Sequence, residues 1–99
     1  MSPADIVQAQ LDAYNAQDVE RFCAVYAHDC VLASYNGDVL AEGIEAIRAR
    51  HVNLFSTHPK NKAKLVNRIA FANTVIDHED VERAPVGERF EVAAIYTIK

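Results

Sequence analysis

The chain has 99 residues, of which 51% are hydrophobic and 24% are charged, and this predicts one globular domain spanning residues 1–99. The formal net charge of −4 argues against nucleic-acid binding, which normally needs a basic surface. No apolar run reaches the length of a bilayer span, and the first residues lack the basic and apolar regions of a signal peptide. We therefore expect a cytoplasmic protein with no membrane association.

Two helices are predicted in the first 30 residues. Ser2 is suited to cap the first helix, because Pro3 follows it and Asp5 would face the positive end of the helix dipole. The residues that share one face of this helix are Ile6, Val7, Gln10, Leu11 and Tyr14. Asp18 is suited to cap a second helix, whose apolar face holds Val19, Phe22, Cys23 and Tyr26.

A hairpin, a third helix and three long strands follow. Residues 30–35 and 39–41 predict two strands, because Asn36-Gly37 between them favours a tight turn. Gly43 precedes the third helix, which must end before Pro59 and places on one face Ile44, Ile47, His51, Leu54, Phe55 and His58. Apolar residues then alternate with period two. This alternation predicts antiparallel strands over residues 62–72, 74–83 and 88–98, with a tight turn near Asn73 and a longer turn over residues 84–87.

The motifs at 14–18 (YNAQD), 26–32 (YAHDCVL) and 42–48 (EGIEAIR) resemble the nuclear-transport-factor-2-like superfamily. Within it, the chain resembles the SnoaL-like and ketosteroid-isomerase-like branch, and residues 67–69 and 75–79 are similar to bacterial members of unassigned function. The resemblance implies an α+β fold of order α-α-β-β-α-β-β-β, a cone-shaped curved antiparallel sheet wrapped around three N-terminal helices. The family usually has a further strand after the one ending near Lys99. We expect this strand to be missing here, or its place to be taken by a neighbouring element or a second subunit.

The resemblance also implies where steroid-isomerase residues would stand. The first-helix tyrosine of that enzyme corresponds to Gln10, its carboxylate base to Ser34, and its second acid to Tyr96. None matches in kind, and serine is no unassisted base near neutral pH, so we expect no true steroid isomerase activity. The residues predicted to line the pocket are Gln10, Tyr14, Ser34 and Phe55.

A polar cluster is predicted on one face of the long strands. If the turn closes after Ala72, Arg68 lies opposite Asp77 and Asn67 lies opposite His78. Alternation then groups Arg68 and Asp77 with Glu79 and Tyr96 on the face assigned to the pocket. The other face would hold Ile69, Ile76, His78 and Ile95, and it is predicted to form a homodimer contact. A register error of one residue would exchange the two faces.

Two functions remain open. In one, the protein is a cofactor-free isomerase-, dehydratase- or cyclase-like enzyme on a small apolar carbonyl compound. Asp77 or Glu79 would be the base, with donors from Tyr96, Arg68 and His51. In the other, the domain binds a ligand without catalysis or serves as an oligomeric accessory module. Arg68–Asp77 would then be a structural ion pair and His51 a core residue. No metal-binding or phosphate-binding motif occurs, so neither a metal nor a cofactor is expected.

Overall fold

The computed structural model describes residues 2–83 and 87–98. The helices are α1 (Pro3–Ala16), α2 (Val19–Ala24) and α3 (Ile44–Thr57), and the strands are β1 (Val31–Ala33), β2 (Val39–Glu42), β3 (Lys62–Phe71), β4 (Thr74–Glu82) and β5 (Arg89–Thr97). This confirms the predicted α+β fold and its element order. The turn predicted over residues 84–87 lies, apart from Gly87, outside the described residues. No helix in the described part of the chain has the length and apolar character needed to cross a bilayer.

The helix starts follow the predicted capping residues. The Ser2 hydroxyl accepts a hydrogen bond from the Asp5 backbone N–H, and the Asp5 carboxylate accepts one from the Ser2 backbone N–H, both at 3.1 Å. This reciprocal capping box satisfies two donors at the start of α1. Asp18 caps α2 by accepting from the Arg21 backbone N–H at 3.1 Å.

The junction between α1 and α2 fastens both helices to the rest of the molecule. The Asn15 amide donates to the Ala63 carbonyl and accepts from the Ala63 N–H, each at 2.8 Å. Gln17 turns the chain with φ at +58° and donates to the His58 carbonyl at 2.9 Å. Because these bonds join α1 to the start of β3, the inner face of the sheet lies against α1.

The long strands form one antiparallel sheet in the order β3-β4-β5, and β1 and β2 form a separate hairpin. The predicted register is confirmed, because Arg68 pairs with Asp77 and Asn67 with His78. The final strand, β5, is present and pairs with β4 along its whole length. The final strand of the described sheet is therefore present, and all three long strands predicted from the sequence are confirmed.

The hydrophobic core has two parts. The larger part joins the three helices to the hairpin and consists of Ala13, Phe22, Cys23, Ala41 and Ile47. A smaller group of Leu11, Ala63 and Val81 joins α1 to β3 and β4. Together they hold α1 between the other helices and the sheet, so polar side chains on the inner sheet face are buried beneath this helix.

Candidate functional site

Successive side chains of β4 alternate between a buried inner face and a more exposed outer face, as expected for a strand that is covered on one side. Val75, Asp77, Glu79 and Val81 are buried, whereas His78 and Glu82 are exposed. Asp77 has no exposed surface at all, and Glu79 keeps 7%. The structure therefore places two carboxyl groups two residues apart on one buried face. A buried carboxyl group needs a partner or a proton.

Asp77 has its partner in Arg68. The Arg68 Nε and Nη2 atoms donate to the two Asp77 carboxylate oxygens at 2.7 and 2.9 Å. Nη1 of the same guanidinium donates to Gln8 Oε1 on α1 at 2.9 Å. This forked arrangement suits an ionised carboxylate and fixes both side chains across the β3–β4 pair.

Glu79 has no such partner. Its Oε2 atom is buried and forms no hydrogen bond within the described structure. The pKa of Glu79 is raised to about 7, first by burial and then by the negative charge of Asp77, while the Arg68 charge acts in the opposite direction. At neutral pH this carboxyl group is therefore close to half protonated. A group in that condition can both accept and return a proton.

Two phenols and an amide lie beside the carboxyl groups. The Tyr96 hydroxyl donates to Gln10 Oε1 over a long 3.5 Å, and the Gln10 side chain also hydrogen-bonds Tyr26. Burial is the main cause that raises the pKa of both tyrosines, and nearby Glu79 contributes to each. Both phenols therefore keep their protons and remain donors at neutral pH. We call Asp77, Glu79, Arg68, Tyr96, Gln10 and Tyr26 the acid cluster.

Sequence reasoning missed Tyr26 as a member of this cluster. The spacing predicts it on the apolar face of the second helix, but α2 ends at Ala24 and Tyr26 follows the C-cap residue Val25. The Tyr26 ring still packs against Phe22, with centroids 5.0 Å apart, while its hydroxyl reaches Gln10. A tyrosine at an apolar helix position was the one available signal, because its hydroxyl needs a partner when buried.

His51, which was predicted to join the carboxylates, lies elsewhere. Its ring is buried among aromatic side chains, with its centroid 4.2 Å from that of Phe22, and its Nδ1 donates to the Ile47 carbonyl at 2.8 Å. Burial lowers the pKa of His51, and the charged side chains acting on it are Arg50 and Arg83. The structure thus brings together four of the five predicted catalytic residues and separates the fifth.

The predicted pocket-lining residues are also divided. Gln10 is buried in the acid cluster, and Phe55 is buried with its ring 5.4 Å from that of Tyr14. Tyr14 lines a separate cavity of about 400 Å³ together with His51, and no member of the acid cluster lines this cavity. The prediction that Ser34 lines the pocket is wrong, because Ser34 is exposed. It lies at the end of the hairpin, where its N–H donates to the Asp38 carbonyl.

The described residues contain no group of three or more His, Cys, Asp and Glu side chains placed to hold a metal ion. The acid cluster offers proton donors and acceptors, which lie between the inner sheet face and the helical side of the molecule.

Residues 7–99 match the family model of the SnoaL-like domain. The chain belongs to this family. Among solved structures, the SnoaL-like chain is similar to an uncharacterised cystatin-fold protein from Novosphingobium aromaticivorans, with 32% identity and a TM-score of 0.95. The alignment covers 100% of this chain and 90% of that one. Among curated proteins there is no significant match.

Two more distant neighbours show the fold alone. One is an epoxide hydrolase from M. tuberculosis described as LEH-like, with 15% identity, a TM-score of 0.82, and coverage of 98% of this chain and 73% of that one. The other is a protein with a ketosteroid isomerase-like fold from Catenulispora acidiphila, solved in complex with trimethylamine. It has 14% identity, a TM-score of 0.75, and coverage of 100% and 78%. The SnoaL-like chain therefore has the nuclear-transport-factor-2-like fold.

Proposed function

We propose that the protein is a cofactor-free enzyme that transfers a proton on a small apolar carbonyl compound, in an isomerase-, dehydratase- or cyclase-like reaction. One observation supports this most directly: Glu79 is buried, lacks a partner at Oε2, and has a pKa raised to about 7. A general base is most effective when its pKa lies near the working pH.

The remaining groups of the acid cluster fit roles around Glu79. Ionised Glu79 would remove a proton from the carbon next to the substrate carbonyl, and the electron pair would move to the carbonyl oxygen as an enolate forms. The Tyr96 and Tyr26 hydroxyls would donate to that oxygen. Glu79, now protonated, would return the proton to another carbon. Arg68 holds Asp77 in place, and the Asp77 charge helps keep the Glu79 pKa high.

Hydrogen–deuterium exchange tests this proposal and does not require the natural substrate. We would incubate the protein in D₂O with a panel of small cyclic ketones and enones and follow carbon-bound hydrogens by NMR. The wild type should catalyse exchange at carbons next to the carbonyl, with a rate that rises with pH through about 7. Glu79→Gln should lower the rate by about 100-fold or more, since general base catalysis is lost.

The matched control is Glu82→Gln, because Glu82 is an exposed carboxylate on the same strand. It should leave the exchange rate unchanged. Full activity in Glu79→Gln would contradict the proposed role. Ligand binding without exchange would favour the second function, a non-catalytic binding domain.

The partner proposed for the outer sheet face is a second copy of the chain. Ile69 and Ile95 each stand beside Ile76 in register, and they are 57% and 51% exposed. An apolar row across three strands, half-buried at Ile76 and exposed at Ile69 and Ile95, suits a contact between two identical faces. Sedimentation analysis tests this: the wild type should be a dimer and Ile69→Lys a monomer, whereas a monomeric wild type would contradict it.

A further inference from the structure

A cavity of about 400 Å³ lies apart from the acid cluster, and its composition is unusual for an acidic chain. Its described lining includes Arg50, His51, His58 and Arg83, together with the apolar side chains Leu32 and Leu54. No acidic residue belongs to the described lining, although the chain has 14 acidic and 10 basic residues. We call this space the cationic cavity.

Arg83 is the half-buried cation of this cavity. Its Nη1 donates to the Tyr14 hydroxyl at 2.8 Å and to Asn61 Oδ1 at 2.6 Å, and both acceptors are neutral. Arg48, Arg68 and Arg89 each pair with a carboxylate, but within residues 2–83 and 87–98 Arg83 does not. Charges withdrawn from water usually have a counter-charge. Among the described residues, no carboxylate supplies one to Arg83.

Further polar atoms around Arg83 are also unsatisfied. His58 Nδ1 and Asn61 Nδ2 are buried and have no hydrogen-bond partner in the described structure, and Asn61 has no exposed surface. A Cβ atom added to Gly87 would stand 2.6 Å from the Arg83 carbonyl oxygen and 3.2 Å from His58 Cε1. Only glycine lets the chain pass this close to both Arg83 and His58.

We propose that the cationic cavity binds a small organic anion, a carboxylate or a phosphate monoester. The charged group would lie against the Arg83 and Arg50 guanidinium groups, because their planar forks match the oxygens of such anions. The apolar part of the ligand would contact Leu32, Leu54 and the Tyr14 ring. The volume lies within the range of small-molecule sites, which begin near 300 Å³.

Calorimetric titration with matched probes tests this site. Benzoate and phenyl phosphate carry the anion, whereas benzamide has nearly the shape of benzoate without its charge. At low salt, at least one of the two anions should bind roughly tenfold tighter than benzamide. The difference should shrink in concentrated salt, because the partly open cavity is exposed to screening ions.

Variants connect the binding to named residues. Arg83→Gln should weaken anion binding by roughly tenfold, and Arg50→Gln, which changes an exposed side chain and leaves the fold in place, should weaken it by a smaller factor. The matched control is Arg89→Gln, because the Arg89 side chain is 69% exposed and pairs with Asp80. Its affinity for the anion should equal that of the wild type.

Three results would overturn the proposal: benzamide binding as tightly as the anions, no anion binding at millimolar concentration, or unchanged affinity in both Arg83→Gln and Arg50→Gln. Glu79→Gln provides the distinction from the enzymatic proposal, because the acid cluster does not line this cavity. That variant should keep its affinity for the anion whether or not it loses exchange activity.

Discussion

The acid cluster and the cationic cavity are two polar regions of this chain, and they differ in how a buried charge is balanced. In the acid cluster, the Asp77 charge is balanced by Arg68 through two hydrogen bonds. In the cationic cavity, the described partners of the Arg83 guanidinium are the neutral acceptors of Tyr14 and Asn61 and the ring of Phe90, whose centre lies 5.0 Å away. The Asp77 charge therefore has its counter-charge without a ligand, whereas no acidic side chain of the described cavity lining balances Arg83.

Burial acts on the titrating group of each region in the direction that favours the neutral form. It raises the pKa of Glu79 and lowers the pKa of His51. The two groups are nevertheless suited to different tasks. Glu79 sits beside phenols that can hold a developing oxyanion, whereas His51 sits among aromatic rings at the wall of the cavity. The neighbours, more than the burial, decide what each group can do.

The largest effect is expected from Arg68→Met, which breaks the balanced pair. The Asp77 carboxylate would stay fully buried without its counter-charge, and the free energy of unfolding should fall by about 3–5 kcal/mol. Urea denaturation measures this loss. Arg89→Met removes an exposed ion pair and should lower the free energy of unfolding far less, because solvent screens that pair.

The double variant Arg68→Met/Asp77→Leu distinguishes a charge effect from a packing effect. Replacing both partners by apolar side chains removes the stranded carboxylate, so most of the lost stability should return. If the double variant is as unstable as Arg68→Met, the guanidinium contributes mainly through packing and the pair is not the origin of the loss.

The register of this pair was predictable because a short hairpin leaves few choices. A turn closing at Ala72 and Asn73 sets Arg68 opposite Asp77, and period-two alternation then assigns every side chain to a face. Ala72 adopts φ at +51° to close that turn. The irregularity between Leu65 and Asn67 was not predictable, because no glycine or proline marks it, yet it places Leu65 opposite Glu79.

The helical members of the two regions were harder to place. The spacing on α3 correctly predicted that His51 lies on the buried face. Spacing alone does not predict which residues of other elements this face contacts. Here it meets Phe22 and Tyr14, so His51 belongs to the cationic cavity. Arg83 is the last residue of a predicted strand, and nothing in the sequence around it predicted that it lines a cavity. Its role depends on Tyr14, 69 residues away in the chain.

The next effect concerns the pH dependence of stability. The pKa of Glu79 is about 7 in the folded protein and near 4.5 in an unfolded chain, so the folded state holds this proton more tightly. Stability from this group is therefore complete below about pH 4.5 and is lost as the pH rises through about 7. The total loss should approach about 3 kcal/mol.

Glu79→Gln should remove this dependence, because glutamine does not ionise. Urea denaturation between pH 5 and pH 8 measures this. As the pH rises, the free energy of unfolding of Glu79→Gln should increase relative to that of the wild type. Glu82→Gln should show the same pH dependence as the wild type. A wild type whose stability does not fall over this range would mean that Glu79 is already ionised in the fold. The acid cluster would then lose its proposed base.

The smallest effect is expected from Tyr14→Phe in the cationic cavity. The variant removes one neutral acceptor from Arg83, but Asn61 Oδ1 still accepts from the same nitrogen, and solvent reaches the half-buried guanidinium. The free energy of unfolding should fall by about 1 kcal/mol, far less than for Arg68→Met. Tyr35→Phe is the matched control, because Tyr35 is 81% exposed and its loss should cost nothing measurable. If Tyr14→Phe costs as much as Arg68→Met, the neutral acceptors stabilise Arg83 as fully as a carboxylate would, and the cavity would need no anion to complete it.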